Sequence, residues 1–244
     1  MSKNFDFPDL AKAPDDVELI AVGQFDLNGQ PIYLTPGGPW PKQVIDGSYW
    51  DSEVILWAYR HGLFPMPLDA NESPLVISWW SPNPRGVLRP DEVKTSPSLK
   101  KSMRKFNFTI NRDFEFVIRN CASPSRPAGW ITQPVIEAYL NLHRDGVANS
   151  IEVWNSDKEI VGGLYGVEQG GLFAGESMFH LARDASKAAL VFLADQLNDG
   201  LGRLIDCQWR TEHLATLGVR GISRNKYLAG LPQLLRIPPK FNPR

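Results

Sequence analysis

From Asn149 to Phe179 the chain reads NSIEVWNSDKEIVGGLYGVEQGGLFAGESMF, a stretch that leaves little room for anything but an antiparallel sheet. Apolar residues alternate along it, and NSDKE and EQGG carry the turn chemistry that joins one strand to the next, so three strands are expected. The pairs Gly162–Gly163 and Gly170–Gly171 remove side chains within this stretch, which marks close backbone approach or bulges. The period then changes. ASKAALVFLADQLNDG repeats as a helix that Asp184 can cap and Gly200 can end. LIDCQ is the next strand, TEHLATLG a short helix, and GISRNKYLAGL the last ordered piece. A meander, a helix, a strand and another helix make a mixed α/β (α+β) unit from about residue 96 onward.

LIDCQ is the unusual member of this series. Its apolar residues imply burial, yet it carries a carboxylate and a carboxamide. Side chains alternate along a strand, so Asp206 and Gln208 are expected on one face and Cys207 on the other. Buried polar groups cost desolvation energy unless they are partnered. A hydrogen-bonded structural pair and a functional pair both satisfy that condition.

Upstream, strands are expected at residues 17–22 and 32–34 with a turn at NGQ, followed by a PGGPWP loop. DSEVILWAYRHG has a capping residue in Asp51 or Ser52 and an apolar stripe of Val54, Ile55, Ala58 and Tyr59, with Gly62 as its stop. VISWWSPNPRGVLRP reads as a strand, a proline-bearing turn and a second strand. FEFVIRNCAS is a short helix, and in GWITQPVIEAYLNLHRDG Thr132 can cap a longer one with Pro134 in its first turn. A small N-terminal domain over 1–83 and a larger domain over 84–244 are expected. Five of the eight tryptophans fall in the first third, where they can form a stacking surface or a small core, with the core as the default.

The net charge of −1 means that a nucleic-acid partner must be held by a local basic patch. KTSPSLKKSMRKFNF supplies one. A helix beginning at Ser96 or Ser98 would carry Lys100, Lys101, Arg104 and Lys105 outward, with Leu99 and Met103 inward. No acidic residue interrupts the run from Lys94 to Arg112, so i,i+4 ion pairing does not explain the charges, and phosphate contact competes with a merely solvated face. The two cysteines are too few for a disulfide framework, and no apolar run has membrane length. The N-terminus also lacks the apolar core of a signal peptide, so the cytoplasm is the expected location. Phosphate-loop, dinucleotide and HExxH motifs are missing, as is a serine nucleophile elbow. His61, His143, His180 and His213 are scattered, each read as structural or superficial, so neither metal nor cofactor is expected. What remains is a possible pocket of Glu176, Asp206 and Gln208, suited to an incoming amine that a carboxylate can hold and an amide can orient.

YRHGLFPM, WWSPNPRGVL, GWIT, NSIEVW, VGGLYGV, GESMF, ASKAAL and LIDCQ, in this order, resemble the leucyl/phenylalanyl-tRNA–protein transferase family over roughly residues 50 to 230. The resemblance implies an acetyltransferase-like larger domain. It further implies transfer of Leu or Phe, with Met as a further donor, from aminoacyl-tRNA to proteins with N-terminal Arg or Lys, creating an N-degron. No cofactor is implied, and a monomer is expected. It assigns Gln208 to orienting or deprotonating the α-amine with help from Asp206, and Glu176 to substrate binding. Trp130, Phe173, Met178 and Leu190 become walls of the donor pocket, and Lys100, Lys101, Arg104 and Lys105 contacts to the tRNA acceptor stem. Met66 in FPMP replaces the family's usual donor-site tryptophan with an adaptable side chain, and ELIAVGQFDLNGQ replaces the usual GLLALGGDL. Two alternatives stay open. An acyl-CoA-dependent N-acetyltransferase would need a glycine-rich turn where FHLARDASKAAL stands. A non-catalytic module would bind tRNA or N-termini without turnover.

Overall fold

The computed structural model describes residues 19–25, 31–34, 52–67, 77–123 and 130–242. Two sheets organise them. The first contains β1 (Leu19–Phe25), β2 (Pro31–Leu34), β3 (Phe64–Pro67) and β4 (Ile77–Pro82) in the antiparallel order β2-β1-β4-β3. The strand expected at 17–22 is thus shifted toward the C-terminus, while the NGQ turn and the PGGPWP loop lie outside the described residues. Helix α1 (Ser52–Arg60) falls between the two hairpins and buries Ile55, Ala58 and Tyr59.

The second sheet has seven strands in the order β11-β5-β10-β9-β8-β7-β6. These are β5 (Arg85–Leu88), β6 (Asn107–Ile110), β7 (Ala148–Trp154), β8 (Ile160–Gln169), β9 (Leu172–His180), β10 (Leu204–Gln208) and β11 (Arg220–Ile222). The expected meander is β7-β8-β9, antiparallel throughout. Helix α5 (Ala185–Leu197) then carries the chain across one face, and β10 enters parallel to β9. Gly162 lets that helix approach closely, since a Cβ there would sit 2.6 Å from the Ala185 methyl. The chain also contains α2 (Pro97–Met103), α3 (Phe114–Cys121), α4 (Gln133–Arg144), α6 (Glu212–Ala215) and α7 (Arg224–Leu234). Ser96 caps α2 through the Leu99 amide, whereas Thr132 occupies the N-cap of α4 without a side-chain cap bond.

Strand alternation divides the core into two layers. Leu164, Phe173 and Ile205 face α5, joining Ala189, Leu190 and Leu193. Tyr165, Val167 and Ala174 face the other way, against α1, α3 and α4. Trp79 and Trp80 of the first sheet belong to this second layer, so they are core residues and tie the small sheet to the large one. Among the described residues no helix is long and apolar enough to cross a membrane.

Candidate active site

The parallel pairing of β9 and β10 stops at Asp206 opposite Ala174. Beyond that point the strands part, and a cavity of about 310 Å³ opens between Gly175–Met178 on one side and Cys207–Gln208 on the other. Leu190 and Leu193 from α5, Leu214 from α6, and Leu164, Ile205 and Trp130 complete the wall. It is largely apolar, with polar groups at the split, the composition expected of a small-molecule site. Two irregularities shape it. In β9 Tyr165 faces Ser177 and Gly166 faces Gly175, so Glu176 is the extra residue of a bulge. In β10 the register against β5 slips between Asp206 and Gln208, and Gln208 has a left-handed φ of 57°.

Those irregularities correct the simple alternation expected for LIDCQ. Cys207 and Gln208 both line the cavity, and Asp206 does not. The slip and the positive φ re-aim the Gln208 side chain, while Asp206 stays behind the sheet, fully buried. There its carboxylate accepts four hydrogen bonds. One oxygen takes Arg85 Nε at 2.9 Å and the Gln208 backbone N–H at 3.0 Å. The other takes Arg85 Nη2 at 2.6 Å and the Tyr227 hydroxyl at 2.8 Å. The Arg85 guanidinium lies over the rings of Phe64 and Tyr227, at 4.8 and 4.6 Å, and also donates to the Gly62 carbonyl at 2.9 Å. The carboxylate is therefore saturated, and three of the five guanidinium N–H groups are bonded to it or to the Gly62 carbonyl. Gly86 is part of the same arrangement, because a Cβ there would come within 2.5 Å of the Trp209 backbone.

Gln208 is the opposite case. It is only 9 % exposed, and its Nε2 has no partner. A left-handed non-glycine residue holding an unpaired buried amide is costly on both counts. Asp206 holds the backbone in that state by accepting the Gln208 N–H at 3.0 Å. Glu176 lies across the cavity and accepts from Tyr59 Oη at 2.5 Å and Tyr139 Oη at 2.9 Å, the two hydroxyls being 2.8 Å apart. Burial pushes its carboxyl up to about 7, against the lowering effect of those two hydrogen bonds. The Cys207 thiol is pushed well above its ordinary range, by burial first and then by Asp206, so it stays protonated and a poor nucleophile.

Of the residues expected at the site, Gln208, Glu176, Trp130, Met178 and Leu190 line the cavity. Phe173 does not. It is fully buried beneath, with its ring edge-on to Phe241. Met66 packs, half-buried, against the core layer shared by the two sheets, and its carbonyl accepts from Trp80 Nε1 at 3.1 Å. Lys100, Lys101, Arg104 and Lys105 are exposed on and just after α2. Sequence reasoning missed Arg85, Tyr227, Tyr139 and the site role of Tyr59. A lone arginine in the strand RGVL was the available signal for the first. The tyrosines look like ordinary core residues, and no spacing rule would have joined them. Among the described residues no group of three or more His, Cys, Asp or Glu could hold a metal ion.

An apolar cavity at a strand split, with an unpaired amide, a carboxylic acid poised near neutrality and, among the described residues that line it, no activated nucleophile, suits direct acyl transfer between two bound partners. Residues 87–232 match the family described as leucyl/phenylalanyl-tRNA protein transferase, and residues 51–83 match that family's N-terminal domain. The chain belongs to this family and is an aminoacyl-tRNA–protein transferase. The leucyl/phenylalanyl-tRNA–protein transferase of Pseudomonas aeruginosa PAO1 is 42% identical over 97% of this chain and 94% of its own length. Those of Pseudoalteromonas atlantica and Chromohalobacter salexigens are 46% and 49% identical, over 75% and 74% of this chain and 78% and 70% of theirs. The structure of L-PGS from Bacillus licheniformis overlays with a TM-score of 0.34 at 10% identity, covering 74% of this chain and 62% of that one, a likeness too slight to argue from.

Proposed function

We propose that the chain transfers Leu or Phe from aminoacyl-tRNA to the N-terminal Arg or Lys of acceptor proteins, and that the product is an N-degron. The observation that carries the site assignment is the unpaired Gln208 amide, held in the strand split against an apolar cavity. The donor side chain fits the wall of Met178, Leu190, Leu193 and Trp130, which offers apolar contact and little polar discrimination. That chemistry favours Leu, Phe or Met over polar residues.

The donor ester is already activated, so no covalent enzyme intermediate is needed. The acceptor's α-amine attacks the ester carbonyl, a C–N bond forms, and the C–O bond to the terminal ribose breaks. The proton lost by the amine ends on the departing ribose oxygen. The Gln208 carbonyl oxygen accepts from the amine and orients it, an amide being too weak a base to deprotonate it, and the unpaired Nε2–H is free to donate to the ester carbonyl oxygen. Glu176, poised at about 7, holds the incoming ammonium and can take its proton. Placing amine and ester together supplies much of the remaining acceleration. Exposed Lys100, Lys101, Arg104 and Lys105 bind acceptor-stem phosphates.

The test is transfer of radiolabelled Phe from Phe-tRNA to a peptide beginning with Arg, with a peptide beginning with Glu as control. Equal, background-level product from wild type and Gln208→Ala would end this reading. A competition between Leu-tRNA and Phe-tRNA fixes the donor preference.

A further inference from the structure

Glu176 and the two tyrosines beside it form a closed triangle of contacts. Tyr59 Oη, from α1, lies 2.5 Å from Glu176 Oε1, and Tyr139 Oη, from α4, lies 2.9 Å from Oε2. The third side joins the two hydroxyls at 2.8 Å. Each of these is an ordinary O–H···O length. Tyr59 and Tyr139 are fully buried, while Glu176, at the bulge of β9, lines the cavity.

Each side of such a triangle needs one hydrogen, and each phenol supplies one. Both phenols keep theirs, because burial first and then the Glu176 charge push them well above the ordinary tyrosine range. With Glu176 ionised, two hydrogens serve three sides, and one side brings lone pairs together with nothing between them. A proton on the carboxyl completes the set. Tyr59 then donates to Oε1, Tyr139 donates to Tyr59, and the Oε2 hydroxyl donates to Tyr139. In a closed ring each bond polarises the next. Burial acts in the same direction and pushes the Glu176 carboxyl up to about 7. The other groups around the triangle do not reverse this. Asp206 and Arg85 act on Glu176 in opposite senses and pair with each other at 2.6 Å, the Cys207 thiol across the cavity stays protonated, and the Tyr165 ring packs edge-on to Tyr139.

We propose that the resting enzyme stores a proton in this ring, on the Glu176 carboxyl, and that Tyr59 and Tyr139 are positioning residues that let it leave and return as the acceptor amine is bound. This rests on the transfer reading above and adds two residues to it. An ammonium is held by the ionised carboxylate, so its binding expels the ring proton to water, and both phenols turn their O–H bonds to the carboxylate oxygens. Transfer of a proton from the ammonium to Oε2 closes the ring again and leaves the neutral amine, which attacks the ester. The proton that the amine sheds as the C–N bond forms goes to the ribose oxygen as the C–O bond breaks. The ring therefore ends the cycle as it began, and the exchange needs only the rotation of two phenol O–H bonds.

Glu176→Gln is the reference variant, since a carboxamide can accept from Tyr59 and donate to Tyr139 with no charge to titrate. Difference infrared spectra of the two proteins, taken without substrate across pH, read the stored proton directly. Wild type should show the C=O stretch of a protonated carboxyl that Glu176→Gln lacks, fading as pH rises through about 7. Identical spectra overturn the proposal. Tyr139→Phe removes a donor to the ionised carboxylate, so the midpoint of that band should move up by about one pH unit. The ratio of its kcat/KM to that of wild type, with Phe-tRNA and a peptide beginning with Arg, should then fall about tenfold toward acid pH and approach unity toward alkaline pH. A ratio constant with pH means that the phenol only fills space, and overturns the proposal. Tyr59→Phe should behave alike, and either variant decides the point if the other does not fold. Calorimetry of the same peptide in buffers of different ionisation enthalpy should find about one proton released per peptide bound to wild type at mildly acid pH, and none with Glu176→Gln. Equal release from both proteins also overturns the proposal. If wild type transfers no Phe, the transfer reading fails, while the infrared titration still decides where the proton resides.

Discussion

Asp206 and Gln208 stand two residues apart in one strand and occupy opposite environments. Behind the sheet, Asp206 is fully buried and accepts four hydrogen bonds, in a clamp with Arg85 and Tyr227 that also reaches the small sheet through Gly62 and Phe64. In the strand split, Gln208 carries an amide with no partner. A saturated polar group contributes rigidity, whereas an unsaturated one held at a cavity wall contributes binding to whatever arrives. The clamp and the open amide share one link, the 3.0 Å bond from the Gln208 N–H to Asp206. That bond ties the open amide to the rigid side.

The sharpest way to break the comparison is to open the clamp. Arg85→Met or Asp206→Ala leaves one buried charge unpaired and should cost about 3–5 kcal/mol in urea unfolding. The double variant Arg85→Met with Asp206→Leu should cost less than the sum of the two. Full additivity would mean that the two residues act separately.

Gln208→Ala should do the reverse, lowering kcat/KM about 100-fold with a stability change within about 1 kcal/mol. Gln208→Gly should be at least as stable as wild type, because glycine accepts the positive φ without strain, yet equally inactive. An active glycine variant would mean that the backbone shape alone suffices.

Glu176 sits between the two extremes, since it is hydrogen-bonded and also lines the cavity. Its carboxyl is raised in the folded protein, so its protonated form favours folding at low pH. That contribution is lost as pH rises from the ordinary carboxylate range through about 7. Glu176→Gln should therefore gain stability relative to wild type over that window, by on the order of 2 kcal/mol at its top, as read by thermal melts across pH. A constant difference would place the titration elsewhere. The smallest effect is expected on the exposed α2 surface. Lys101→Glu with Arg104→Glu should leave stability within about 0.5 kcal/mol while flattening the salt dependence of tRNA binding by about 2 in slope.

Much of the fold was legible because period and turn chemistry are local. The meander of β7, β8 and β9, its two turns, the helix α5 and the strand β10 all stand where alternation and helical spacing place them. Three features depend on contacts between distant residues. Thr132 and Asp184 hold their N-cap positions without making side-chain cap bonds: the Asp184 carboxylate accepts from the Ser102 hydroxyl instead, and the buried Thr132 hydroxyl has no partner among the described residues. Phe173 reads as a pocket wall in sequence but is fully buried in the layer that faces α5, with its ring edge-on to Phe241. Arg85, Tyr59, Tyr139 and Tyr227 come from sequence positions far from LIDCQ and GESMF, and only the folded chain joins them.

The sequence by itself determined the order of elements, the presence of a carboxamide and two carboxylates in strand positions, the uninterrupted basic run, and the family. Those are properties of residue type and spacing. The tertiary structure decided which of those groups is satisfied and which is free. A one-residue slip in β10 and a bulge in β9 turn Gln208 and Glu176 toward the cavity and leave Asp206 behind the sheet. Alternation cannot foresee either irregularity, because each depends on where the neighbouring strand stops pairing, and that is settled by packing between residues far apart in the chain.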